Sequence, residues 1–234
     1  MLGRTLEGIS SRLPGHCAVC HRFPAHPVCE PCVGRFAQPL RRCSRCALPL
    51  GSSHTVCARC TASPPPLDAC HAAVSYDYPW SELITQFKFR GQAGWARAFA
   101  MLMRSAPWTE PALDAAQLLV PMPLSAPRLA QRGFNQAFEL AKQLDARKAV
   151  SSLLLRLRET PAQAALDLQA RLANVRGAFA VDPLRVAAVK GKRIVLVDDV
   201  MTSGASLHAA AQALRQAGAA SVTGLVFART DEPH

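Results

Sequence analysis

Aromatic residues are scarce in this chain: they make up 6% of 234 positions, with two tyrosines and three tryptophans. Proteins that bind single strands without sequence preference stack bases on aromatic platforms set in a basic groove. No stripe of interleaved basic and aromatic residues is visible, so any nucleic-acid binding would be mainly electrostatic. Long apolar runs are also missing: nowhere do about 18 apolar residues follow one another, as a membrane-spanning helix requires. The stretch Met1 to His16 has neither an apolar run nor a small-residue cleavage site behind one. The expectation is a soluble cytoplasmic protein with no membrane partner. Acidic residues are few, 16 Asp+Glu against 27 Lys+Arg, and the formal charge of +11 suggests a polyanionic partner. Half of the residues are apolar, which excludes wholesale disorder.

Cysteine, by contrast, is concentrated. Eight of the nine cysteines form four C-x-x-C knuckles within 44 residues: Cys17/Cys20, Cys29/Cys32, Cys43/Cys46 and Cys57/Cys60. A knuckle points two sulfurs at one spot, and two knuckles complete the tetrahedron of a closed structural Zn²⁺ site. Four knuckles make two such sites. Pairing in sequence order leaves loops of 8 and 10 residues, which suits zinc ribbons; an interleaved pairing, first with third, is the alternative. Eight thiolates holding two Zn²⁺ would lower the net charge to roughly +7. A disulfide framework is the competing reading, but it needs an oxidising compartment for which no export signal speaks. A redox-active knuckle needs a preceding strand and a following helix, whereas these sit among Pro, Gly and Arg. Cys70 is left over and reads as a buried thiol. His16, His21, His26 and His54 lie close enough to replace a ligand, but eight thiols leave no need for them, and they read as surface residues. Such a module is too small to hold a core without metal, so metal binding and folding should be one event. Arg35, Arg41, Arg42 and Arg45 are its candidates for docking to protein or nucleic acid, with plain solvation as the alternative.

Ala62-Ser63-Pro64-Pro65-Pro66 reads as a stiff linker. The expected organisation is a double zinc ribbon over 1–61, a linker over 62–66 and a larger domain over 67–234. Within that domain strands are expected at Ala72–Tyr76, Gln117–Pro121, Leu153–Leu157, Arg193–Val197 and Val222–Ala228. Helices are expected at Ser81–Phe89, Trp95–Met103, Asn135–Leu144, around Leu168–Val175, and at Ser206–Ala217. This alternation predicts an α/β fold with a mostly parallel sheet covered on both faces. Trp95, Phe99, Met101 and Met103 read as core.

The most informative segment runs from Arg193 to Leu207. An apolar strand ends in Asp198 and Asp199, and a small-residue loop leads into a helix, the edge where open α/β sheets bind ligands. The hydroxyls of Thr202, Ser203 and Ser206, the permissive backbone of Gly204 and the helix-terminal N–H groups suit a phosphate. The two carboxylates suit ribose hydroxyls, and can hold Mg²⁺ directly or through water. A capped turn with two solvated acids is the bland reading.

This segment resembles the signature of type I phosphoribosyltransferases. The resemblance implies that Asp198 and Asp199 contact the ribose hydroxyls of 5-phosphoribosyl-1-pyrophosphate (PRPP), and that Val200, Met201, Thr202, Ser203, Gly204, Ala205 and Ser206 cradle its 5′-phosphate. Ser203 stands where Thr is commoner. Pro123, Leu124 and Ser125 occupy the place of the pyrophosphate turn, and Arg128 and Arg132-Gly133-Phe134-Asn135-Gln136 come directly after. Arg156, Arg158, Thr160, Pro161 and Gln163, then Leu166, Arg171, Asn174 and Gly177-Ala178-Phe179, resemble the group's mobile loop and post-loop motif. With the four knuckles, the pattern resembles the ComF family of competence-associated, GntX-like proteins over nearly the whole chain. Asp198, Asp199, Arg156 and Arg158 are then the candidate catalytic set, with Arg128, Arg132, Arg156 and Arg158 as cations for a departing pyrophosphate. Enzymes of this type that act on 6-oxopurines carry an Asp where Thr202 stands, so purine salvage is disfavoured. For Arg132, Asn135, Gln163, Arg171 and Asn174 a structural hydrogen-bonding role is the alternative, and Lys88 and Arg90 either line the cleft or snorkel.

Three functions are open at this point. One is a Mg²⁺-assisted phosphoribosyltransferase with an unidentified acceptor. Another is a PRPP-sensing adaptor in DNA uptake, for which the resemblance implies single-stranded DNA and a helicase-like or processing partner. The third is a zinc-stabilised nucleic-acid binder whose larger domain is scaffold, against which the acid pair counts.

Overall fold

The computed structural model describes residues 15–23, 25–51, 54–89, 92–158 and 177–231. The expected helix around Leu168–Val175 lies outside them, as do Arg90, Thr160, Pro161, Gln163, Leu166, Arg171 and Asn174. By its internal contacts the chain divides into two compact units, Met1–Gln38 and Pro39–His234.

The smaller unit is organised by its first two knuckles. An antiparallel bridge joins Gly15 to Ala25, and helix α1, Glu30–Phe36, starts directly after Cys29, with Pro31 in its first turn and Cys32 buried beneath it. Proline is tolerated there because the first N–H groups of a helix have no intrahelical acceptor.

The larger unit is built on a four-stranded, all-parallel sheet in the order β1-β6-β5-β2: β1 is Ala69–Ser75, β2 Leu118–Pro121, β5 Arg193–Met201 and β6 Ser221–Arg229. Side chains alternate across a strand, and β6 shows what each face meets. Val222 and Val226 join the core cluster with Leu207, Ala210, Ala211 and Leu214, the buried stripe of helix α9, Ala205–Gln216. Phe227, on the other face, stacks on Phe99 at 4.0 Å and meets Trp80 edge-on at 5.7 Å. Phe99 belongs to helix α4, Trp95–Ser105, and Trp80 to helix α3, Trp80–Phe89. Each of these side chains is worth about 1.5–3 kcal/mol when taken fully out of water. Trp95, Phe99 and Met103 are buried one above another at four-residue spacing, but Met101 falls between those turns and is 56% exposed.

Two expectations about strands need correction. Leu154–Arg156 (β3) does not enter the parallel sheet; it pairs antiparallel with Phe179–Val181 (β4) in a separate two-stranded ribbon. Strand β5 does not stop at Val197 but continues through both acids to Met201, because parallel pairing with β6 carries Asp198 opposite Val226 and Met201 opposite Arg229. Helices α2, Ala58–Ala62, and α8, Val186–Val189, are a single turn or little more, and the short helices at Thr109–Ala115 (α5) and Ala126–Arg132 (α6) were not expected. Proline near the start of α5 and of α6 fits the first helical turn, a cue easily mistaken for a loop signal.

Candidate functional site

The sheet places β2 beside β5, with Pro121 opposite Val197, and Met122 N–H continues the ladder by donating to Val197 O at 2.9 Å. The turn after β2 therefore stands next to the acids of β5. Helix α6 ends at Gly133, whose φ of +77° is a left-handed cap that glycine adopts without strain. Asn135 then starts helix α7, Gln136–Asp145: its Oδ1 accepts from Ala137 N (3.0 Å) and Phe138 N (3.3 Å), while its Nδ2 donates to Met122 O at 3.0 Å. Asn135 thus has the structural role, tying the α7 terminus to the turn after β2.

These elements enclose a cleft of about 410 Å³. One wall carries Asp198 and Asp199 with Val200, Met201, Thr202, Gly204, Ala205 and Ser206; the turn after β2 contributes Pro123 and Leu124; and cations come from Arg128, Arg132, Arg156 and Lys88. Ser125, Ser203 and Arg158 are not among the lining residues. Ser125 is buried at the start of α6, and the Ser203 Oγ accepts from Ala205 N at 3.4 Å. The Arg158 carbonyl accepts from Arg156 Nε at 3.3 Å. Lys88, from the carboxyl end of α3, lines the cleft, one of the two alternatives its sequence position offers, and so does Gln136, to which the sequence assigned no role of its own. Their signal was present as the polar members of Phe87-Lys88-Phe89 and of Arg132-Gly133-Phe134-Asn135-Gln136.

The acid pair is electrostatically loaded. Asp199 is buried and its Oδ1 lies 3.2 Å from Lys88 Nζ. Asp198 Oδ1 accepts the backbone N–H of Asp199 at 2.9 Å. Burial, reinforced by the neighbouring Asp199 charge, pushes the Asp198 carboxyl up to about 7, with Lys88 and Arg132 pulling the other way. Burial likewise brings the Arg132 guanidinium below its ordinary value, opposed by the two acids. The phosphate-type loop turns at Gly204, where φ is +83° and an added Cβ would come within 2.5 Å of Met201 Cε. Gly204, the N-cap of helix α9, brings no side chain to cap it, and Ser203 Oγ meets only the first N–H of the helix. One wall of the cleft therefore offers oxygen acceptors, the other offers cations and N–H donors, and a helix end with a glycine cap lies between.

The knuckles gather in sequence order. Cys17, Cys20, Cys29 and Cys32 form one group and Cys43, Cys46, Cys57 and Cys60 the other, with the sulfurs of each group within 4.8 Å of one another. Each group could hold a metal ion. Local backbone supports thiolates there: Cys29 N donates to Cys17 Sγ, and Cys57 N to Cys43 Sγ, both at 3.3 Å. Burial alone would raise these thiols, yet backbone N–H donors outweigh it and bring Cys17 down to about 6 and Cys43 to about 7. The four histidines near the knuckles belong to neither group. Cys70 is buried in β1, and burial pushes its thiol up to about 12.

Of the four arginines near the knuckles, two are committed inside the larger unit. Arg42 donates to Ala47 O (3.2 Å) and Ser75 Oγ (3.0 Å), and Arg45 to Leu67 O (2.9 Å). Arg35 and Arg41 are exposed. Among the described residues no helix is long and apolar enough to cross a membrane.

A family model described as a phosphoribosyl transferase domain matches residues 129–233. DNA utilization protein YhgH of Salmonella typhi is 32% identical over 228 residues, spanning 93% of this chain and 98% of that protein. Competence protein F of Haemophilus influenzae is 29% identical over 210 residues, 87% of this chain and 90% of its own. Competence protein ComFC of Bacillus subtilis is 30% identical over 215 residues, 88% and 86% of the two chains. Similarity that runs through knuckles, cleft and sheet alike means that the chain belongs to the ComF family, whose phosphoribosyltransferase domain here stands behind paired cysteine knuckles.

Proposed function

We propose that the cleft binds PRPP with Mg²⁺ and passes its phosphoribosyl group to an acceptor, in a cytoplasmic protein that serves DNA uptake or utilisation. The observation that carries this reading is the acid pair Asp198/Asp199, with Asp199 held by Lys88, lining one cleft with the glycine loop, Arg128 and Arg132. A ribose diol needs acceptors, a 5′-phosphate needs N–H and hydroxyl donors, and a pyrophosphate needs cations; the cleft supplies the three side by side. On this reading Asp198 and Asp199 take the ribose hydroxyls, residues 200–206 take the 5′-phosphate, and Arg128, Arg132, Arg156 and Arg158 stabilise the departing pyrophosphate. The cysteine groups are proposed to hold one Zn²⁺ each, since four thiolates around one centre suit a closed structural site. The names of the relatives, for competence and for DNA utilization, favour the DNA context. Single-stranded DNA and a helicase-like partner are part of this proposal.

The test is calorimetric titration of the metal-loaded protein with PRPP and Mg²⁺, followed by an assay of pyrophosphate release against bases and DNA. Binding with release supports the transferase. Binding without release favours a sensing adaptor, and absence of binding overturns the reading.

Asp198 gives the ligand affinity a pH dependence. Its carboxyl is pushed up to about 7 by burial and by Asp199, so the free protein carries a proton there below neutrality. Ribose hydroxyls donate to the anion, and ligand affinity should therefore rise as pH increases from 6 to 8 and level off above. Titrations in two buffers of different ionisation enthalpy should show proton release near pH 7. The ligand's own phosphate also titrates near 6, so the Asp198→Asn variant is the control. Persistence of the full pH dependence in that variant would reject Asp198 as its source.

A further inference from the structure

Gln136 has a position that helix formation does not explain. It is the first residue of α7, it is only 1% exposed, and it lines the cleft. Its Oε1 accepts from Arg132 Nη1 at 2.9 Å. A guanidinium has donors only, so the amide must turn its oxygen toward Arg132, and this fixes which end is the NH₂ group. That NH₂ group, Gln136 Nε2, is buried and has no hydrogen-bond partner among the described residues, and the same holds for Arg132 Nε. Buried donors without acceptors are rare and costly, and call for a partner beyond the described residues.

Arg132 is held on a second side as well. Its guanidinium lies over the Phe89 ring at 5.0 Å, an arrangement that orients the planar group and leaves its edge for hydrogen bonding. Two residues on adjoining helices thus present unmatched N–H groups in one cleft. The group that satisfies them must bring acceptor oxygens, and a pyrophosphate brings several together with the negative charge that Arg132 favours. Asp199 is paired with Lys88, and the glycine loop is a separate feature of the cleft. Building on the PRPP reading above, we infer that Gln136, acting with Arg132, reads the pyrophosphate arm of the ligand and so distinguishes PRPP from ribose 5-phosphate.

The experiment is to titrate wild type, Gln136→Met and Gln136→Glu with PRPP, ribose 5-phosphate and inorganic pyrophosphate in the presence of Mg²⁺, with thermal melts alongside. Methionine keeps the length of the side chain and removes its donor. It should weaken PRPP and pyrophosphate about tenfold, in line with one hydrogen bond to a charged group, and leave ribose 5-phosphate within twofold. Glutamate would put a carboxylate against Arg132 and repel the anion, so its loss should exceed that of methionine on the same two probes only. Unchanged PRPP affinity in Gln136→Met would overturn the inference. So would an equal loss for PRPP and ribose 5-phosphate, the mark of a residue that merely props up the cleft. Wild-type protein that binds none of the three probes would instead defeat the PRPP reading and this assignment with it.

Discussion

Cys60→Ser is expected to cost the larger unit its stable fold and its ligand binding together, whereas Cys20→Ser removes an equal amount of metal and leaves the cleft at work. The difference lies in what each cysteine group is packed against. Cys43, Cys46, Cys57 and Cys60 lie in the same core cluster as Leu196, Leu207 and Val226. Cys70 N, in β1, donates to Ser44 O at 2.8 Å, inside the third knuckle. Arg229, fully buried at the end of β6, donates through Nε to Cys46 O at 3.0 Å and through Nη1 to Met201 O at 3.4 Å. Met201 lies at the root of the glycine loop, and its methyl packs against Gly204. The knuckle carbonyl, a buried arginine and the root of the loop are therefore one connected piece. Structural Zn²⁺ is worth about 10–16 kcal/mol to small zinc-binding peptides, as much as the entire margin of about 5–15 kcal/mol by which ordinary domains are folded. Loss of a ligand thiolate here should lower Tm by well over ~10 °C or leave the protein insoluble. The check is metal content, thermal melting and PRPP titration of both variants. If Cys60→Ser loses its metal yet melts and binds like wild type, the second cysteine group is not part of the larger unit's structural core.

That coupling was illegible in the sequence for a physical reason. Composition marks 62–66 as a linker because three prolines stand in a row, but the contacts that bind the third and fourth knuckles to β1 and β6 join positions up to 183 residues apart, as in Arg229 to Cys46. The two compact units divide between Gln38 and Pro39. What could be read directly was local. An apolar strand running into two acids and a small-residue loop has few other uses, and Asp198, Asp199, Thr202, Gly204 and Ser206 do line one cleft with Arg128 and Arg132. The parallel sheet was legible in strands alternating with helices. What escaped was the partnering of side chains. Lys88 reads equally as a helix-end solvated charge until the fold brings it to 3.2 Å from Asp199. Asn135 and Gln136 are neighbours in one motif and both line the cleft, yet the first caps a helix and the second accepts from Arg132. Spacing distinguishes neither case. Leu153–Leu157 reads as a strand of the parallel sheet, whereas β3 pairs only with β4, because an apolar run of that length fits an antiparallel edge as well as a parallel core.

Asp198→Asn combined with Asp199→Asn should all but abolish PRPP binding, a loss of roughly two to four powers of ten if each carboxylate makes charge-assisted bonds worth about 1.5–3 kcal/mol. The amides are nearly isosteric, so the shape of the cleft survives while its acceptor wall changes character: each amide presents one acceptor and one donor where a carboxylate presents acceptors only. Lys88 would also lose its 3.2 Å anionic partner and become an unopposed cation in the acid wall. The pH dependence of stability separates a damaged site from a damaged fold. The Asp198 carboxyl is pushed up by burial and by Asp199 from 3.8 to about 7. A group whose folded value lies above its unfolded one favours folding fully below about 4, and that contribution is lost as pH rises toward 7. Wild type therefore carries two crowded acids at a stability cost near neutral pH, kept because the site uses them. The double variant has no such proton to lose, so between pH 5 and 8 its Tm should fall less than that of wild type, whatever constant loss follows from leaving Lys88 without its partner. Calorimetry for ligand and thermal melts at the two pH values decide the matter. Unchanged PRPP affinity would remove the acid pair from the site, and a Tm that falls as steeply with pH as in wild type would remove Asp198 as the source of the strain.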